Sequence, residues 1–169
     1  MCAKSAPTRS ECIRSDYLGN VGTPIRDQGP GYFHVFTRAT GGGAFIVDDR
    51  DRRHLVHQLA TTADRLGWRL LAYCVMTTHY HAVVQTTKPN LSRGMQRINS
   101  IYARTFNQRH GRFGTLVACR FGYRIIEDET YLEEVCRYVF MNPVRAGVTQ
   151  TAEAWPWNGG ILLDVALAA

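Results

Sequence analysis

The stretches Arg69–Val75 and His79–Gln85 each read as a strand, and only Met76-Thr77-Thr78 separates them. A connection that short cannot hold a crossover, so the two stretches must pair as an antiparallel hairpin. The rest of the chain has to be arranged around it. An earlier strand is expected at Tyr32–Thr37, where aromatic and β-branched residues cluster, followed by a Gly41-Gly42-Gly43 turn. Asp48 and Asp49 can cap a helix with the stripe Leu55, Leu59, Thr62/Ala63 and Leu66, ended by Gly67. A second helix opens at Pro89-Asn90 and places Leu91, Met95, Ile98, Tyr102 and Thr105/Phe106 on one face. Phe121–Ile126 reads as a strand. Asp128 starts a third helix expected to run to about Asn142, because Pro143 disfavours helical geometry in the residue before it. The order β-α-β-β-α-β-α predicts an α+β single domain. Its first six elements fit a ferredoxin-like antiparallel sheet with helices packed on one face.

A chain of 169 residues, 45% hydrophobic and 20% charged, can bury one ordinary core. Residues 1–30, broken by Thr23-Pro24 and Gly29-Pro30-Gly31, read as an irregular N-terminal arm. The domain is expected over 31–158, with 159–169 as a C-terminal tail. Trp155-Pro156-Trp157 and the apolar run Ile161–Ala168 are expected to dock on its body. No apolar run approaches the roughly 20 residues of a membrane span, and no apolar leader follows Met1, so a cytoplasmic protein without a membrane partner is expected. Cys2, Cys12, Cys74, Cys119 and Cys136 form no ligand spacing and are assigned no chemistry.

The net charge of +6 points to an anionic partner, of which nucleic acid is the commonest. Lys4 and Lys88 are the only lysines, so the positive charge is nearly all arginine, whose planar fork suits phosphate oxygens. A GC-rich genome would also favour arginine codons. Arg93, Arg97, Arg104, Arg109 and Arg112, on the second helix and the glycine-containing loop after it, are the expected phosphate contacts. The plainer alternative for any one of them is a solvated helix face.

Two spacings carry possible chemistry. In His79-Tyr80-His81, side chains two apart on a strand share a face, so both imidazoles can converge on one ion. Taken alone, such a pair is more often structural. On the third helix, Tyr131, Val135, Tyr138 and Asn142 form one stripe, with Tyr138 and Asn142 one turn apart. If that helix lies on the sheet, Tyr138 comes over the histidine strand and Asn142 can add an amide oxygen. Two imidazoles and one hard oxygen suit Mg²⁺ or Mn²⁺ better than structural zinc. Tyr138 would then be a nucleophile toward phosphorus. Tyr102, near Arg97 and Arg104, is the rival nucleophile, with core packing the better assignment. His34 could join the site but reads better as a satisfied buried histidine, His54 and His57 read as solvated, and Glu127, Asp128 and Glu129 as a helix N-terminus. Tyr32, Phe36 or Tyr80 could stack on bases if exposed.

Several segments together resemble the HUH-type single-tyrosine transposases, in particular the REP-associated tyrosine transposases. They are Tyr32-Phe33-His34-Val35 with Thr37-Arg38, Phe45 with Asp48-Asp49-Arg50-Asp51-Arg52, Ala72 to His81, Tyr138 to Gly147, and Trp155-Pro156-Trp157. The resemblance spans roughly residues 31–158. It implies a ferredoxin-like domain in which His79, His81 and Asn142 hold a divalent metal and Tyr138 is the nucleophile. It also implies a hairpin-bearing single-stranded DNA partner, nicked to leave a 5′-phosphotyrosine and a 3′-hydroxyl for strand transfer. Thr77-Thr78 stands where the family usually has Pro-Asn, which changes the hairpin connection but keeps both histidines. Gly114 to Ala118 lacks a common aromatic-glutamine pair, a change that bears on DNA contacts. Monomer and homodimer are both compatible. The alternatives are a hairpin or single-stranded DNA-binding module on the same fold without cleavage, and a small-molecule metal hydrolase, for whose usual barrel the chain is too short.

Overall fold

Alternation of side chains along the strands decides which residues meet on each side of the sheet. In a computed structural model describing residues 29–117 and 120–163, β1 (Gly31–Arg38), β2 (Arg69–Val75), β3 (His79–Thr86) and β4 (Gly122–Ile126) pair antiparallel. A two-residue β5 (Asn158–Gly159) completes the order β4-β1-β3-β2-β5. The first four strands follow the ferredoxin-like order. Residues 1–28 of the expected arm lie outside the described residues, as do Cys2, Cys12, Cys119 and residues 164–169 of the expected tail. The β2–β3 hairpin closes with the Met76 N–H donating to the His79 carbonyl at 2.9 Å.

The two ferredoxin-like helices share one face. In α1 (Asp49–Leu66), Asp48 accepts from the Arg50 and Asp51 N–H groups, and the Asp51 carboxylate accepts from the Asp48 N–H. That reciprocal cap ties off the exposed donors of the first turn. Gly67, at φ 68°, ends the helix in the left-handed region. In α2 (Leu91–Arg109), Asn90 precedes the first turn without capping it. Its amide instead accepts from Trp68 Nε1 at 2.6 Å and donates to the Leu66 carbonyl, joining the end of α1 to the start of α2. Leu55, Leu59, Ala63, Met95, Ile98 and Phe106 pack against Phe33, Val35, Tyr80, Ala82 and Val84.

A third helix, α3 (Glu129–Phe140), covers the opposite face, across β2 and β3. Leu132, Val135, Cys136, Val139 and Phe140 are buried there with Leu71, Cys74 and Val83. The sheet is thus covered on both sides, a layer more than the ferredoxin-like unit alone requires. The buried stripe is rotated from the one expected in the sequence: Tyr131 is 44% exposed, and Tyr138 sits at the margin of the apolar face. The chain also stops short of the expected helix end. After Met141 a short α4 (Asn142–Arg145) starts afresh, with Pro143 in its first turn, where a missing N–H costs no helix bond.

The aromatic-proline segment is a clasp on β2. Trp155 Nε1 donates to the Val75 carbonyl at 3.2 Å, the Val75 N–H donates to the Trp157 carbonyl at 3.1 Å, and the Arg52 guanidinium lies over both indoles. Beyond β5, the Ile161 and Leu162 N–H groups bond to the Leu70 and Leu71 carbonyls. Among the described residues no helix is long and apolar enough to cross a membrane.

A candidate histidine and tyrosine site

Register, more than sequence proximity, assembles the site. β1 pairs with β3 so that Phe36 faces His81 and Arg38 faces His79. β4 lies on the other side of β1 and sets Arg124 opposite His34 and Gly122 opposite Phe36. By strand parity, His34, Phe36, Arg38, His79, His81 and Arg124 all project to the face that α3 covers. Tyr80, between the two histidines, projects the other way and is fully buried, its hydroxyl donating to Asn99 Oδ1 at 2.8 Å. That burial removes Tyr80 from the aromatics able to stack on a base.

The imidazoles of His79 and His81 lie 5.1 Å apart between centroids, at 87°. His34 joins them. Its Nε2 is 2.9 Å from His81 Nδ1, and the two rings stack 5.1 Å apart. Tyr138 lies edge-on to both, 6.1 Å from the centroids of His34 and His81. The Arg145 guanidinium lies 4.8 Å from the centre of the Tyr138 ring, within cation–π range. Asn142 is one turn along, its Nδ2 donating to the Tyr138 and Val139 carbonyls at 3.0 and 3.2 Å. Those bonds fix the amide so that its oxygen is the remaining polar end.

Burial sets the charge state of the histidines. It pushes His34 down to about 4, helped by the charge of Arg124. His79 is likewise lowered to about 4 by burial and then by Arg38. His81 is held well below the ordinary histidine range by burial, then by its two histidine neighbours and Arg38. All three are neutral at pH 7, the form in which imidazole binds metal.

The residues fit a divalent ion in their donor chemistry. His79 engages Thr78 Oγ1 through Nδ1 at 3.0 Å, and His81 engages His34 through Nδ1. Each imidazole would therefore hold an ion through Nε2, with Nδ1 oriented by an outer partner, as metal-ligating histidines usually are. Among the described residues no group of three His, Cys, Asp or Glu side chains is placed to hold an ion. The amide oxygen of Asn142 is a hard donor of another type.

The structure thus brings His79, His81 and Tyr138 into one neighbourhood, with the Asn142 side chain bonded to the Tyr138 carbonyl, and it separates the rival nucleophile from them. Tyr102 is buried on the opposite face, its hydroxyl donating to the Phe45 carbonyl at 2.5 Å, and burial raises its phenol far above the usual range. The arginines expected at phosphate lie on that opposite side too, along α2 and the loop after it. Arg93, Arg104 and Arg112 are exposed and Arg97 is half-buried. Arg109 is engaged by two carboxylates, Asp48 and Asp51, with Asp51 also taking His110 Nε2 at 2.9 Å. His54, expected to be solvated, is half-buried, with its Nε2 enclosed.

Sequence reasoning gave His34 a place in the site only as second choice to a satisfied buried histidine, and it missed Arg38, Arg124 and Arg145 as the cations around it. His34 and Arg38 carried a signal in the parity of β1, but only the register with β3 turns that parity into contact. Gly122 is a further requirement: a Cβ there would fall 2.2 Å from the Phe36 ring, which packs 5.8 Å from both His34 and His81. Gly122→Ala is expected to push Phe36 into the histidines and destabilise the fold by about 1–3 kcal/mol. Urea unfolding checks this, and an unchanged midpoint would show that the ring has room to move.

No curated protein matches the chain. Among solved structures it is similar to a REP-associated tyrosine transposase bound to a REP hairpin, at TM-score 0.66 and 15% identity, covering 78% of this chain and 77% of that one. At that identity the likeness shows the fold. The family model described as IS200-like transposase matches residues 32–142, from the first strand of the sheet to Asn142. That match spans well over half of the chain and contains every residue of the histidine and tyrosine cluster except Arg145, so the chain belongs to the IS200-like transposase family.

Proposed function

We propose that this protein nicks and rejoins single-stranded DNA beside a hairpin, with Tyr138 as nucleophile and a divalent metal, Mg²⁺ or Mn²⁺, held by His79, His81 and Asn142. The observation that carries the reading is the convergence of Tyr138, His79 and His81 on one face of the sheet, within 6.1 Å from Tyr138 to His81 and 5.1 Å between the histidines. The family membership and the hairpin-bound structural neighbour support the substrate class. The metal, when bound, supplies Lewis-acid stabilisation of charge on the scissile phosphate.

The chain's own residues do the rest. The Tyr138 hydroxyl oxygen attacks phosphorus, the Tyr138–phosphorus bond forms and the bond to the 3′ oxygen breaks. The phenolic proton is given up and the released 3′ oxygen is protonated, so the products are a 5′-phosphotyrosine and a free 3′-hydroxyl. Attack on the phosphotyrosine by another 3′-hydroxyl reverses the step and joins strands. Arg145, over the Tyr138 ring, favours the developing phenolate. Arg38 and Arg124 supply positive charge on the same face for the phosphate. His34 orients His81. Arg93, Arg97, Arg104 and Arg112 serve the hairpin's phosphates at a distance from the chemistry. Arg109 we assign instead to the ion pairs that tie α2 to the start of α1.

Incubation with labelled hairpin-bearing single-stranded DNA and Mn²⁺ tests this. A covalent protein–DNA band is expected that disappears with chelator and with His81→Ala. Hairpin binding with no band on substrates drawn from the protein's own genomic flanks would favour a binding module without cleavage.

A further inference from the structure

Phe113 is 98% exposed, more than any other large apolar side chain among the described residues. Scattered exposed apolar residues are normal, but this ring is held out by a built loop. The Arg112 N–H donates to the Asn107 carbonyl at 2.9 Å, and Asn107 Nδ2 donates to the Gly114 carbonyl at 2.8 Å. Both neighbours of Phe113 are therefore pinned to the end of α2. Gly111 and Gly114, at φ 58° and 90°, make the turns that leave the ring outside.

The loop's position is as specific as its shape. Three residues on, the Leu116 carbonyl accepts from the Thr40 N–H, and Val117 bridges to Ala39, whose N–H bonds to the Thr78 carbonyl. The loop that carries Phe113 thus returns to the end of the sheet where β1 stops and β3 begins with His79. Two of the nearby arginines in sequence, Arg112 and Arg120, are exposed, while Arg109 is held by Asp48 and Asp51. A protein surface docking here would look for a contiguous apolar patch. One planar ring next to the exposed Arg112 matches a polyanion that also offers planar faces.

We propose that Phe113 is a stacking platform for an unpaired base in the single-stranded DNA that flanks the hairpin. The proposal rests on the DNA reading above and adds a contact that fixes where the strand leaves the site. Base–aromatic stacking is sequence-tolerant, so the contact would hold the strand without reading it.

The test is equilibrium binding of the full chain to a hairpin with a single-stranded flank and to the same hairpin without one. Phe113→Ala is expected to weaken binding to the flanked DNA about 5- to 150-fold, the range of one lost stack, and to leave the bare hairpin unchanged. Phe113→Trp is expected to restore the flanked affinity. Unchanged affinity of Phe113→Ala for the flanked DNA would overturn the proposal while leaving the DNA reading intact, as would an equal loss on both DNAs. A wild-type chain that binds neither DNA would overturn both. The side chain packs on nothing, so the variant's thermal unfolding should match the wild type.

Discussion

Tyr138→Phe is expected to eliminate the covalent protein–DNA product while preserving fold and DNA affinity. The ring stays, with its edge contacts to His34 and His81 and its place under Arg145; only the hydroxyl is lost. Tyr102, the other candidate on sequence grounds, spends its hydroxyl on the Phe45 carbonyl on the far side of the sheet. Loss of a covalent nucleophile typically costs roughly 10⁴- to 10⁶-fold in rate. Tyr102→Phe should behave inversely: normal adduct formation, and a stability loss of about 1–3 kcal/mol from a buried carbonyl without its donor. Quantified gel assays beside urea unfolding of both variants separate the roles. An adduct that survives Tyr138→Phe would overturn the assignment.

The second large effect is on stability against acid. Folded His34 and His79 take protons only near pH 4, chiefly because burial disfavours the cation, whereas histidines in the unfolded chain titrate near 6.5. Between those values the unfolded chain binds protons that the folded chain refuses, so stability rises with pH across this window and is lost as pH falls through it. Keeping each of these two histidines neutral across that window is worth about 3 kcal/mol. His81, lowered by the same burial, adds to the same loss. The metal-free protein should therefore be fully stable at pH 7 and lose about 6 kcal/mol or more by pH 4. Asp48 lies outside this window, since its hydrogen bond to Arg109 holds it below the ordinary carboxylate range. Urea midpoints across pH 7 to 4 measure the effect, and His34→Leu should remove about half of what His34 and His79 contribute together. A flat profile would mean that the histidines are hydrated when folded.

Local signals carried most of the fold because each element announces its own ends. Asp48 with Asp51, Gly67, and the three residues between the hairpin strands act within a few positions of themselves. The second face was harder to read. The third helix's apolar stripe mixes Tyr131 and Tyr138 with Leu132, Val135 and Val139, and which of them face inward depends on the sheet beneath. β5 has two residues and no pattern of its own; only the edge of β2 makes it a strand. In the candidate site the same division holds. His79 and His81 declare a shared face by their spacing. His34 meets His81 across 47 positions, and Arg109 is held by carboxylates about 60 positions away. Those contacts exist only after the strands and helices have registered.

The most direct measurement is to locate the covalent link. The adduct formed with hairpin-bearing DNA and Mn²⁺ would be trimmed with nuclease, digested with trypsin and examined by mass spectrometry. Trypsin cuts after Arg137 and Arg145, releasing a peptide from Tyr138 to Arg145 whose only tyrosine is Tyr138, whereas Tyr102 falls in the peptide from Ile98 to Arg104. The nucleotide mass is expected on the Tyr138 peptide, joined through a 5′ phosphate. The same mass on the Tyr102 peptide, or on any peptide outside 138–145, would contradict the account.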